Sequence, residues 1–202
     1  CVIYIEKQGR NLAIFLHNNL INKKNHRPWE VPKKDWSYYQ EWNEAVFLHW
    51  EIDPDLIQPL LPKSLKVDCF ENKAWISLVA FTMEKIRPKF LPPFPPISNF
   101  LEINLRTYVI RDGKPGVYFL NIEAGNTLSA FIAKKLSGLP YEKAEMIRDL
   151  KKKSYVSNFL LKNFKFNISY EIGNTINSKS AVDLFLTERY CLYLEKESSL
   201  YR

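Results

Sequence analysis

The stretch Phe100-Leu101-Glu102-Ile103-Asn104-Leu105-Arg106-Thr107-Tyr108-Val109-Ile110 decides the fold. Leu101, Ile103, Leu105 and Val109 point one way and Glu102, Asn104, Arg106 and Tyr108 the other, the period of two that belongs to a β-strand. The turn Arg111-Asp112-Gly113-Lys114-Pro115-Gly116 returns the chain through a second strand, Val117 to Glu123. On the other side, Pro88, Pro92, Pro93, Pro95 and Pro96 predict an extended, stiff loop in which neither helix nor ladder is expected. Further upstream, Leu65, Val67 and Cys69 alternate with Lys66 and Asp68, Glu71-Asn72-Lys73 turns, and Ala74 to Met83 is dense in strand formers, which predicts a hairpin. Val46 to Ile52 reads as another strand, ended by Asp53-Pro54, with Asp53 capping a short helix over Leu56 to Leu60 that Pro62 stops.

Downstream, Asn126 or Thr127 caps a helix with Leu128, Phe131, Ile132 and Leu136 on one stripe, closed by Gly138 and Pro140. Phe164, Phe166, Ile168, Tyr170 and Ile172 alternate with polar residues as a half-buried strand, and Thr187 to Leu194 reads as the last strand. Strands joined mainly by hairpins, with one amphipathic helix, predict an α+β domain that is mainly antiparallel β, its sheet curled toward a sandwich or barrel. Residues 1–26 read as an N-terminal arm, because the helical spacing of Leu12, Phe15, Leu16 and Leu20 is broken by Asn18-Asn19 and Asn22 to Asn25. Residues 27–202 read as a single domain whose core Trp29, Trp36, Trp42 and Trp50 help to wrap.

The 202 residues, 46% hydrophobic and 25% charged, exclude a disordered chain, and no apolar run is long enough for a membrane-spanning helix. Cys1, Cys69 and Cys191 are odd in number and far apart, which argues against a disulfide framework or a paired-cysteine zinc site and for a reducing, cytoplasmic setting. The first residue is not Met and the chain stops at Leu200-Tyr201-Arg202 without a terminating signal, so a fragment at both ends is expected. Most of the net charge of +7 sits between Lys134 and Lys165. Lys151-Lys152-Lys153 followed by Tyr155, Phe159, Phe164 and Phe166 interleaves cations and rings as a nucleic-acid binder would. A solvated turn leading into a core strand is the favoured reading of the same residues.

No phosphate loop, dinucleotide fingerprint, zinc helix or nucleophile elbow is present, so no cofactor and no metal site is read from the chain. Of His17, His26 and His49, only His49 falls in a predicted strand, where a core histidine is the ordinary outcome. The polar constellation is Glu102, Asn104, Arg106 and Tyr108, spaced about 6.7 Å apart along one strand face. Converging on a cavity, these groups would bind a small carboxylate or carbonyl compound, Arg106 fixing the anion and Glu102 transferring a proton. On an open sheet they would simply be its wet face.

Several stretches, in this order and spacing, resemble the bacterial YqjF-type family of uncharacterised proteins. They are Arg27-Pro28-Trp29, Phe47 to Pro54, Leu60-Leu61-Pro62, Ala74-Trp75-Ile76, Glu102 to Val109, Gly116 to Phe119, Gly138 to Tyr141 and Phe185 to Tyr190. The resemblance covers about residues 27–202. It implies an acetoacetate-decarboxylase-like fold, a curled antiparallel architecture around a central cavity. It also implies a domain that continues past Tyr201-Arg202 into a segment bearing histidine and tryptophan. The best-known enzyme of that fold uses a Schiff-base lysine in a Gly-x-Pro-Lys-Lys segment, and the matching place here is Gly138-Leu139-Pro140-Tyr141-Glu142, without the lysine. Lys143 lies one position beyond and reads as a surface lysine, while Glu102 resembles the acidic residue near that Schiff base. The resemblance further implies that Glu102, Asn104 and Arg106 face the cavity, with Leu101, Ile103 and Leu105 packed under the helix of residues 127–137. Buried there, Glu102 and Arg106 must be paired with neighbouring groups or with a ligand.

Two function classes follow. One is a cofactor-independent lyase or hydrolase acting on a small organic acid or carbonyl compound, with Glu102 catalytic and Asn104, Arg106 and Tyr108 binding. The other is a non-catalytic small-ligand-binding module. The expected partner is a small molecule, with no membrane, with nucleic acid through residues 134–165 as the weaker alternative, and with a homo-oligomer compatible with either class.

Overall fold

The computed structural model describes residues 2–6, 28–30, 37–159, 162–196 and 199–201. Leu12, Phe15, Leu16, Leu20, His17, His26, Arg27 and Trp36 lie outside the described residues, as does the side chain of Leu136. The strands are β1 (Val2–Glu6), β2 (Tyr38–Ile52), β3 (Lys66–Val67), β4 (Ala74–Pro88), β5 (Phe100–Arg111), β6 (Lys114–Ala124), β7 (Tyr141–Lys143), β8 (Glu145–Asp149), β9 (Ser154–Phe159), β10 (Phe164–Ser169), β11 (Leu192–Lys196) and β12 (Ser199–Tyr201). The helices are α1 (Pro54–Ile57), α2 (Pro95–Ser98), α3 (Thr127–Ser137) and α4 (Ala181–Thr187). Among the described residues the main sheet runs β1-β2-β4-β5-β6-β11-β12, with β3 added on β5 and β7 on β6, and β10-β9-β8 form a smaller sheet.

The centre of the main sheet, β2-β4-β5-β6, is antiparallel throughout, whereas β7 and β11 join β6 in parallel. Bulges between Asn43 and Val46 of β2, where Glu44 has φ 53°, and opposite Leu105/Arg106 curl it. Among the described residues the curled sheet stays open, since its path ends on β1 and β12 without pairing them. Val2–Glu6, inside the stretch read as an arm, pairs with Ala45–His49 at one edge.

Both faces of β5 are covered. Phe100 packs with Phe47, Val79, Phe81, Ile122 and Ala130 of α3. On the opposite face Leu101 and Ile103 pack with Ala80 of β4 and with Tyr155, Met146, Phe166 and Ile168 of the small sheet, and Val109 packs with Ile57, Leu61 and Leu65. The expectation that Leu101, Ile103 and Leu105 lie under α3 is therefore corrected: the small sheet covers that face, and α3 lies on the face that carries Glu102. The cause is the composition of α3, whose inward contacts are Ala130 and Ala133, while Leu128 and Phe131 are more than half exposed. Small residues let the helix approach a face already filled by rings.

Other local readings divide in the same way. Asp53 caps α1 through Asp55 N–H, Asn126 caps α3 through the N–H groups of Leu128 and Ser129, and Gly138 ends α3 at φ 73°. Lys66–Val67 does not form a hairpin with β4; it pairs with Ile110 and Val109 where β4 no longer flanks β5, leaving Phe70–Lys73 as a lone bridge. Pro95–Ser98 is one helical turn in the proline loop, which the first turn tolerates because its N–H groups have no helical partner. Thr187 ends α4 rather than starting a strand, because Ser180 and Asp183 make a capping box that holds Ala181–Thr187 helical.

Gly116 sits where β6 meets β11, and a Cβ there would stand 2.6 Å from the Cys191 carbonyl oxygen and 2.9 Å from the Tyr193 ring. Gly116→Ala is expected to lower the unfolding free energy by about 1–3 kcal/mol. Denaturant titration would show this as a lower midpoint at unchanged slope, and an unchanged midpoint would contradict the packing described.

Candidate functional site

Antiparallel register places four strands' side chains in rows on the α3 side of the sheet. His49, Ser77, Arg106 and Phe119 stand in one row, Phe47, Val79, Asn104 and Ile122 in the next, and Phe81, Glu102 and Ala124 beyond. Tyr108 and Val117 form the row on the other side of Arg106, with Trp75 packed against them. The four sequence-predicted residues thus share one face, and all four are buried: Glu102 is 2% exposed, Asn104 0%, Arg106 7% and Tyr108 0%. They belong to an interior, not to the wet face of a sheet.

Glu102 is held by Tyr141, whose hydroxyl donates to its Oε2 at 3.1 Å. Burial pushes the Glu102 carboxyl up to about 8, against the opposing pull of Tyr141 and Asn104, so the group is protonated at neutral pH. Tyr141 stands at the position where the resemblance implies a lysine, and Lys143 is exposed on β7. Among the described residues no lysine is buried. Asn104 leans on Glu102, yet neither its Nδ2 nor its Oδ1 makes a well-formed hydrogen bond.

Arg106 lies with its guanidinium 5.3 Å from the centre of the Phe47 ring, and its Nε has no hydrogen-bond partner. Among the described residues the ion pairs involve Lys85, Arg111, Lys162, Lys179 and Arg189, and none reaches Arg106. Burial weakens its hold on the proton, but a guanidinium stays charged inside a protein. A buried cation without a carboxylate is costly, and an anion supplied from outside would relieve it.

Tyr108 donates to the Leu186 carbonyl at 2.9 Å and contacts Ser77 Oγ at 2.6 Å, and Ser77 Oγ lies 2.5 Å from His49 Nδ1. Arg189 stacks over the Tyr108 and Phe185 rings and pairs with Asp68 at 2.6 Å, tying the residues after α4 to the β3–β4 connection. The sequence reading missed His49, Ser77, Tyr141 and Arg189 as parts of this site. His49, Tyr141 and Arg189 lie in stretches that carry the family resemblance, Phe47 to Pro54, Gly138 to Tyr141 and Phe185 to Tyr190, whereas Ser77 lies in none.

A cavity of about 380 Å³ opens beside β6, walled by Phe119, Tyr118, Leu139, Pro140, Tyr193 and Leu194 among others. It lies where the outer edge of β6 is unpaired, between Val117–Tyr118, which pair with β11, and Ile122–Ala124, which pair with β7. The polar residues do not wall this cavity; Phe119, directly opposite Arg106 across β5 and β6, stands between the two. In the basic stretch, Tyr155 and Phe159 are buried. Arg148 is engaged by the Glu44 carbonyl, Thr82 and Tyr170, while Lys151 and Lys152 are exposed at the β8–β9 turn. No group of three His, Cys, Asp or Glu side chains that could hold a metal ion occurs among the described residues, and no described helix is long and apolar enough to cross a membrane.

This architecture is that of the acetoacetate-decarboxylase-like fold. An acetoacetate decarboxylase from Legionella pneumophila superposes with a TM-score of 0.57 at 13% identity, over 93% of this chain and 69% of that one. The enduracididine biosynthesis enzyme MppR superposes with a TM-score of 0.54 at 10% identity, over 79% of this chain and 62% of that one. At such identities the likeness is one of fold alone. The chain belongs to the DUF2071 family, described as an uncharacterized conserved protein and matched by residues 39–202. It is 36% identical over 178 residues to the uncharacterized protein YqjF of Bacillus subtilis (strain 168), spanning 85% of this chain and 73% of that protein.

The raised pKa of Glu102 fixes the sign of its contribution to stability. The folded chain retains a proton that the unfolded chain releases near pH 4.5, so this contribution is full below that pH and is lost as pH rises to about 8. Glu102→Gln removes the effect. The stability difference, wild type minus variant, is expected to fall by roughly 3–5 kcal/mol between pH 4.5 and 9 in denaturant titrations. A difference that stays level across that range would mean that Glu102 is not the buried neutral acid described.

Proposed function

We propose that the chain binds a small organic acid bearing a carbonyl group on the α3 face of the sheet, and that it acts on it as a cofactor-independent acid–base enzyme. The observation that carries this reading is Arg106, a buried guanidinium with no carboxylate partner among the described residues. A ligand carboxylate supplies that partner, in the bidentate geometry that a guanidinium favours. Asn104, one row away, offers an amide donor to the carbonyl oxygen, and Glu102, neutral at pH 7, is a proton donor beyond it. Tyr108 contributes through its neighbours, since its own proton is committed to Leu186.

The fold's acetoacetate decarboxylase and MppR relatives make an oxo acid a natural probe, but the chemistry here differs from an amine route. Tyr141 fills the register where a Schiff-base lysine would be required, and Lys143 is exposed and one position further on. Lyase chemistry that needs only proton transfer fits Glu102; a purely binding role would leave its neutral carboxyl without a task.

Titration calorimetry with acetoacetate and with pyruvate tests the reading. Wild type is expected to bind at least one of them, and Arg106→Gln to weaken it by about thirtyfold or more, as loss of one partner of a buried charge pair costs about 2–5 kcal/mol. Because the ligand-free site holds an unpaired charge, Arg106→Gln is also expected to be no less stable than wild type without ligand. Equal affinity in the two proteins would remove Arg106 from the site. Borohydride treatment in the presence of acetoacetate is expected to leave the intact mass unchanged, and a reduced adduct on Lys143 would establish the amine route instead.

A further inference from the structure

Three side chains from three strands form one directed hydrogen-bond chain beside Arg106. The Leu186 carbonyl can only accept, so the Tyr108 hydroxyl proton points to it, at 2.9 Å. The Tyr108 oxygen must then accept from Ser77, 2.6 Å away, because two oxygens at that distance need a proton between them. Ser77 has one proton, now spent on Tyr108, so the 2.5 Å contact between Ser77 Oγ and His49 Nδ1 requires the proton to sit on Nδ1. The 3.2 Å approach of Tyr108 Oη to the same Nδ1 adds a second acceptor for it.

We infer that this chain holds His49 as its Nδ1–H tautomer, which makes Nε2 the basic atom of the ring, and that Nε2 is the proton acceptor of the site, with Ser77 and Tyr108 as positioning residues. The second half of this rests on the reading of Arg106 as the carboxylate holder. His49 shares the cross-strand row of Ser77 and Arg106, and its ring stacks on Phe47 at 6.0 Å, the ring over which the Arg106 guanidinium lies. In the ligand-free site burial and the Arg106 charge pull the His49 pKa down to about 3, so the ring is neutral; a carboxylate held by Arg106 cancels that charge and makes Nε2 more basic. For an oxo acid held by Arg106, the step is enolisation. A C–H bond next to the carbonyl breaks, its proton passes to Nε2, its electron pair forms the carbon–carbon double bond, and the carbonyl π pair moves onto oxygen to give the enolate. Return of a proton from Nε2 reverses the step, with nothing consumed.

Long-range nitrogen–proton correlation spectra of the ring-labelled protein test the tautomer directly. The wild type is expected to show His49 protonated on Nδ1 and unprotonated on Nε2. Ser77→Ala is expected to move population to the Nε2–H form, and Ser77→Thr to restore the original pattern. A wild-type proton on Nε2, or a Ser77→Ala spectrum identical to wild type, would overturn the inference even if carboxylate binding through Arg106 holds. Conversely, an Nδ1–H ring in a protein that does not bind acetoacetate or pyruvate would sink the binding site and the acceptor role with it, leaving the tautomer standing. The acceptor role has its own readout: deuterium exchange into the methyl group of pyruvate or the methylene of acetoacetate, followed by proton NMR. Exchange above the buffer rate is expected in wild type for whichever compound binds, and a loss of about a hundredfold or more in His49→Gln with binding retained. Binding without exchange, or exchange undiminished in His49→Gln, would exclude Nε2 as the acceptor.

Discussion

Burial of strand β5 on both faces is the constraint on which the rest depends. An antiparallel strand with alternating polar and apolar residues ordinarily leaves its polar face in water. Here α3 and a cluster of rings cover that face, and the small sheet β8–β10 covers the other. Every polar group on β5 must then find a partner inside the protein or be left for a ligand. Glu102 meets the requirement by keeping its proton and accepting from Tyr141, and Tyr108 by joining Ser77, His49 and Leu186. Arg106 reaches the neutral Tyr108 but no carboxylate among the described residues, its Nε left without a partner, and Asn104 leans only loosely on Glu102.

The elements recruited to satisfy these groups come from distant parts of the chain. Tyr141 follows α3, Leu186 closes α4, and His49 comes from β2. Arg189 locks the α4 connection by pairing with Asp68 and stacking over Phe185. Without α4 in place, Tyr108 would lose its acceptor and the chain to His49 would lose its direction. The structural role of Phe185 to Tyr190 is therefore inseparable from the electrostatics of the β5 face, which gives a physical reason for that stretch to stand out in the sequence.

Local chemistry was legible in the sequence wherever it acts within a few residues. The period of two in Phe100 to Ile110, the Asp53 and Asn126 caps and the Gly138 stop are all decided by neighbours in the chain, and so is the turn at Glu71-Asn72-Lys73. The pairing of Lys66–Val67 was not legible, since an adjacent turn suggested β4 while the vacant flank of β5 lies far along the chain. The same holds for α3: spacing nominated Leu128, Phe131, Ile132 and Leu136 as its inner stripe, but the surface it meets is already full of rings, and among the described side chains Ala130 and Ala133 pack on it while Leu128 and Phe131 are exposed. Within the site, the β5 residues could be nominated from periodicity, whereas Ser77 and His49, 28 positions apart, meet only through the register of β2 on β4.

The break in pairing along β6 has a mechanical meaning. Phe119, Leu120 and Asn121 lie between the segments held by β7 and β11, so the wall formed by Leu139 and Pro140 is anchored on one side of the break only. Among the described residues, displacing that wall severs no ladder hydrogen bond, because none spans the opening. The cavity wall thus rests on side-chain packing where the rest of β6 is held by ladder hydrogen bonds, and it lies a single side chain, Phe119, away from the buried guanidinium.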